Sequence, residues 1–145
     1  MATTTINHAA SATDHTVRNR ALGVVGAVLG AVVVWTIAVP LLGTHLFIRF
    51  GAGAAQGIGL DYVIGMSLGA SLAGWALLAV LERRSAHGRT IWTRIAVVVA
   101  LASLSLPFIA GTTTSTKAAL ALMHVAVAIV LIPTLRRGPS TRRLS

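Results

Sequence analysis

The sequence contains no cysteine, only three acidic residues and a single lysine among 145 positions. The lack of thiols excludes disulfides, thiolate metal centres and thiol redox catalysis. The shortage of charge excludes more. Charged residues make up 10% of the chain, against about 25% in an average soluble domain, too few to clothe a globule of this size in a polar skin. The acids are Asp14, Asp61 and Glu82, and none lies within a long apolar run. Cation-coupled pumps and exchangers hold their ion on a carboxylate inside the membrane, so this chain is a poor match for them. No Ser/His/Asp set, phosphate loop or metal-ligand motif is present. An enzyme is not expected, and neither is a cofactor.

What is abundant is apolar. Hydrophobic residues make up 55% of the chain and the mean hydropathy is +0.82. Four long runs carry them, at about residues 21–42, 62–81, 91–110 and 116–135. A helix of about 20 residues rises about 30 Å, the thickness of the hydrocarbon core. It also satisfies its own backbone hydrogen bonds, which lipid cannot do. The expectation is an all-α integral membrane bundle of four transmembrane helices. The first run exceeds the roughly 7 to 15 apolar residues of a secretory signal, so it is read as a span. Arg94 lies one turn inside the third run, close enough to the end for its guanidinium to reach the headgroups.

The remaining segments are polar. Residues 1–20 have few large apolar groups and read as a flexible cytoplasmic tail. Residues 136–145 form a basic cytoplasmic tail. The longest connection, 43–61, is an outer loop in which Leu46, Ile48 and Phe50 alternate with Phe47 and Arg49. That alternation suits a short hairpin on the interface, and an irregular loop is the competing expectation.

The net charge of +9 comes from eleven arginines and Lys117. They flank the apolar runs instead of forming one dense patch, which argues for membrane topology and against nucleic acid. Ten basic residues fall on the side of the two termini, and Arg49 and Lys117 on the other. The positive-inside rule therefore puts both termini in the cytoplasm. Arg83, Arg84, Arg136 and Arg137 are expected to contact anionic lipid headgroups, each worth about 1 kcal/mol near the surface. Trp92 and Tyr62 stand at span ends, where interfacial aromatics belong.

Few residues could carry chemistry. His124 lies about two turns into the fourth run, and an ionisable group at that depth is a candidate functional site. With Ser103 and Ser105 it makes a candidate buried polar site; a neutral imidazole bonded to a nearby carbonyl is the plainer alternative. Glu82 beside Arg83 and Arg84 reads as an interfacial ion pair. Pro40, Pro107 and Pro133 fall in the last turns of their runs and read as helix terminators. Small residues recur at helical spacing, Gly26 with Gly30 and Gly65 with Gly69. Such spacing lets helix backbones approach closely, and Gly65, Gly69 and Ala73 form a candidate helix-packing face.

Several motifs carry a family resemblance. The run from Trp35 to Gly43 (WTIAVPLLG) is one. Ala73-Gly74-Trp75-Ala76-Leu77-Leu78 with Leu81-Glu82-Arg83-Arg84 is another. Ala121-Leu122-Met123-His124 leading to Leu131-Ile132-Pro133 is a third. Together they resemble the DUF6069 type of small actinobacterial membrane protein, over about residues 20–137. The resemblance implies a four-helix protein of the bacterial plasma membrane without an assigned activity, and it carries over no catalytic residue. Two functions remain open. One is a non-enzymatic structural or accessory protein, as a homo-oligomer or within a larger membrane complex. The other is a small transporter or ligand-binding bundle with His124 facing a cavity.

Overall fold

The computed structural model describes residues 3–137, with side chains from residue 15 onward. Its helices are α1 (Thr3–Thr36), α2 (Leu60–Arg84), α3 (Gly88–Ser103), α4 (Ser105–Ala110) and α5 (Thr114–Arg136). A π-helical turn, Ile37–Leu41, closes α1, and two short strands follow it, β1 (Phe47–Ile48) and β2 (Gln56–Gly57). Four stretches are long and apolar enough to cross a bilayer: His15–Leu41, Leu60–Arg84, Gly88–Ala110 and Thr114–Arg136. Each contains most of the run expected from hydropathy and extends it by a few residues. The basic tail beyond residue 137 lies outside the described residues.

The four spans close into a ring. The first packs on the second and the fourth, and the third also packs on the second and the fourth. Short connections make the second, third and fourth spans successively antiparallel, and the longer hairpin connection joins the first span to the second. The tightest seam joins α1 to α5. A Cβ on Gly26 would stand 3.2 Å from Val130 Cγ1, and one on Gly30 would stand 3.7 Å from Ala126 Cβ. Ala27 and Ala31 are fully enclosed between them. Lipid tails are as apolar as leucine, so helices associate in a membrane by close packing, which small residues permit. The outward surface shows the complement: Leu22, Val98, Leu101 and Ile129 are all more than 60% exposed. A soluble monomer does not display apolar surface on this scale. A bilayer covers it.

The termini of the spans have local causes. Pro40 lacks an N–H, and the chain around it widens to a π turn in which Leu42 N donates to Ile37 O at 3.0 Å. Gly43 then adopts φ +63°, a left-handed conformation that ends the helix while its N–H still reaches Val39 O. Pro107 does not end its span as expected. It breaks the helix three residues earlier, at Leu104, and a short helix α4 carries on to Ala110. The proline ring excludes the carbonyl four residues back, so the break falls one turn before it. Thr113 caps α5 by accepting from Thr116 N at 3.1 Å. The α2–α3 turn is so tight that a Cβ on Gly88 would lie 2.5 Å from Leu81 O.

Two expectations are corrected here. The helix of the first span starts well before residue 21, so the stretch read as a flexible tail is helical from Thr3. Within it Arg20 is buried, which a solvated tail residue would not be. Trp92 is no lipid-facing interfacial aromatic. It is 2% exposed and packs with Val24, Ala27, Leu78, Leu131 and Leu135 at the core of one half of the bundle. Its indole N–H donates to Gly74 O at 2.7 Å. Tyr62, by contrast, is 43% exposed.

The 43–61 connection is a hairpin. Phe47 pairs with Gly57 and Ile48 with Gln56, antiparallel. Leu46, Ile48 and Ile58 turn inward and are buried. Arg49 N donates to Ala110 O at 2.9 Å, and Trp35 Nε1 donates to Ile58 O at 3.1 Å. The hairpin is thereby fastened to α1 and to the end of α4, and it caps that end of the bundle.

Candidate functional site

The residues expected to form a buried polar site are not joined. His124 donates from Nδ1 to Leu120 O, 2.7 Å away on its own helix. Ser103 donates to Ala100 O at 2.7 Å, and Ser105 donates to Ala102 O at 2.6 Å. Each is engaged with the carbonyl one turn back, and among the described residues no hydrogen bond links the three. Ser67 behaves alike, donating to Val63 O at 2.7 Å. In a low-dielectric interior an unpaired hydroxyl costs free energy, and the preceding turn of the same helix is the nearest acceptor. Ser71 is the exception: its hydroxyl is fully buried without a hydrogen-bond partner.

Among the described residues the expected packing face on α2 meets no other helix. Gly65, Gly69 and Ala73 point outward, and a Cβ on either glycine would meet nothing within 4 Å. The close approach occurs instead at Gly26 and Gly30. The two GxxxG pairs are alike in sequence, so only the fold distinguishes the used one.

Polar groups gather at the end of the bundle where α2 leaves and α3 begins. Glu82 is the hub. Arg20 Nη2 donates to both its carboxylate oxygens at 2.8 Å, and Arg89 Nε donates to Oε1 at 2.7 Å. Three elements meet on one carboxylate. Its neighbours in sequence, Arg83 and Arg84, are exposed and take no part. Adjacent residues of a helix do not face each other, which is why the expected local ion pair gives way to a long-range one. The Arg20 side chain is 8% exposed, and its Nε has no partner.

Beside this hub lies an open cleft of about 210 Å³ between α3 and α5, lined by Arg89, Thr90, Thr93, Arg94 and Arg136. Among the described residues no carboxylate lines it. In the sequence Arg94 and Arg136 stand as separate headgroup contacts, 42 positions apart, and nothing in their spacing brings them together. A signal existed in part: positions 89 and 93, and 90 and 94, lie one turn apart on α3. The approach of Arg136 from α5 had none.

Residues 11–141 match a family model described as a family of unknown function, DUF6069. Comparison with curated proteins and with solved structures found no match.

Proposed function

We propose, for a chain that belongs to the DUF6069 family of unknown function, the role of a non-enzymatic structural or accessory protein of the bacterial plasma membrane. The observation that carries this reading is how its polar groups are used. Within the spans His124, Ser103, Ser105 and Ser67 bond to their own helices. Among the described residues the polar ties between elements include Trp35 to Ile58, Trp92 to Gly74, Thr116 to His45, Thr112 to Phe47, and Arg20 with Arg89 to Glu82. Each of these holds one part of the architecture to another, and none presents a reactive group to a substrate. Both termini face the cytoplasm, by the excess of arginine on their side. There Arg83, Arg84, Arg136 and Arg137 meet anionic lipid headgroups. The chain acts as a homo-oligomer or within a larger membrane complex. The alternative, a ligand-binding bundle centred on His124, draws no support from an imidazole bonded to Leu120 O.

Native mass spectrometry after gentle extraction tests this. A chain of 15.0 kDa, a multiple of it, or a complex with a second protein is expected, with phospholipid as the only small adduct. A reproducible non-lipid adduct that vanishes in His124→Leu would overturn it in favour of ligand binding.

A further inference from the structure

We propose that the cleft between α3 and α5 is a binding site for the phosphate group of an anionic phospholipid. The inference rests on the membrane reading above and adds a defined site to it. Three arginines, Arg89, Arg94 and Arg136, line one cleft. Glu82 is already held by Arg20 and by Arg89 Nε. Among the described residues Arg94 and Arg136 have no carboxylate partner. Like charges so placed repel one another until an anion joins them. The planar guanidinium offers paired N–H donors that match phosphate oxygens. Thr90 adds a hydroxyl that makes no hydrogen bond to the protein among the described residues, and so is open to donate. Thr93 already donates to Arg89 O at 2.7 Å. A volume of about 210 Å³ equals the share of about seven waters in the liquid, at about 30 Å³ each, ample for a phosphate group.

The surroundings favour a lipid over a soluble anion. The cleft stands at one end of the spans Gly88–Ala110 and Thr114–Arg136, and the ends of a span of this length are where a bilayer presents its headgroups. One and two turns along α3 from Arg94 come Val98 and Leu101, 65% and 64% exposed. Two turns back along α5 from Arg136 comes Ile129, 65% exposed. An acyl chain hanging from a phosphate in the cleft would lie along this apolar stripe. Basic pockets between transmembrane helices are suited to such headgroups.

The full chain in neutral detergent should retain phosphatidylglycerol in preference to phosphatidylcholine, saturating at one lipid per chain. The double variant Arg94→Gln/Arg136→Gln should bind it at least tenfold more weakly, with unchanged helix content. Arg18→Gln/Arg49→Gln, which removes the same charge from exposed positions outside the cleft, should bind within twofold of the parent. Thr90→Val should weaken retention severalfold, and it keeps the test open if the arginine variant does not fold. Equal losses in the two arginine variants, no preference over phosphatidylcholine, or full retention in Thr90→Val would each overturn the proposal. So would displacement of the lipid by an equimolar amount of inorganic phosphate, which would mark a site for a soluble anion. The topology of the chain is measured independently, so failure of the cleft leaves the membrane reading standing.

Discussion

Arg20 and Glu82 stand 62 positions apart in sequence, and one guanidinium nitrogen of Arg20 lies 2.8 Å from each carboxylate oxygen of Glu82. The pair ties the first span to the second, and Arg89 ties the third to the same carboxylate. Removing one partner of a buried pair leaves the other charge uncompensated. Glu82→Ala should therefore lower unfolding stability by about 3 kcal/mol. That is the lower end for such pairs, because the Glu82 side chain keeps 25% exposure. The double variant Arg20→Met/Glu82→Gln should be less destabilised than the sum of its single variants. Denaturant unfolding in micelles measures both; strict additivity would mean the pair carries no coupling.

The small-residue faces of α1 and α2 should respond oppositely to bulk. Gly26→Ile places branched carbons against Val130, 3.2 Å from the added Cβ, and should cost about 1–3 kcal/mol through overpacking. Gly65→Ile and Gly69→Ile enter open space and should leave the stability of the single chain within about 0.5 kcal/mol. A thermal melt of each variant decides the matter, and equal losses on both faces would contradict the packing seen here.

Trp92 should be the costliest single core residue to truncate. Trp92→Ala removes a fully enclosed indole and should cost about 3 kcal/mol or more. Trp92→Phe retains most of the volume and loses the bond to Gly74 O, a change of about 1 kcal/mol. Indistinguishable melts of the alanine variant and the parent would place the ring outside the core.

His124→Leu should change stability by less than about 1 kcal/mol, since it exchanges one intrahelical hydrogen bond for a side chain of similar size. A loss several times larger would show that the imidazole serves a second partner.

The orientation is open to a reporter test. Alkaline phosphatase fused after Arg143 should be inactive, and the same enzyme inserted between Gly51 and Ala55, within the hairpin loop, should be active. The reverse pattern would invert the topology.

Much of the architecture was written in the order of the residues. A continuous apolar run of about 20 residues has one structural solution in lipid, a helix that satisfies its own backbone, so the number of spans and their approximate limits follow from hydropathy alone. A period of two gives the inward pair of the hairpin, Leu46 and Ile48, but not Phe50, the third residue of the alternation, which is exposed where the chain turns. The flanking arginines supply the expected orientation. None of these depends on which helix lies beside which. What depended on that neighbourhood was decided only in three dimensions. Gly26 and Gly30 meet α5 while Gly65 and Gly69 meet open space, because identical spacing says nothing of which face a ring of four helices turns inward. Trp92 leaves the interface for the core because Gly74, on the facing helix, offers both room and an acceptor. Glu82 passes over Arg83 and Arg84 for Arg20 and Arg89, because adjacent helical side chains diverge by about 100° and the tight turn at Gly88 delivers distant ones. The arginine cleft is the plainest case: its walls come from two helices whose covalent link, through α4, lies at the opposite end of the spans.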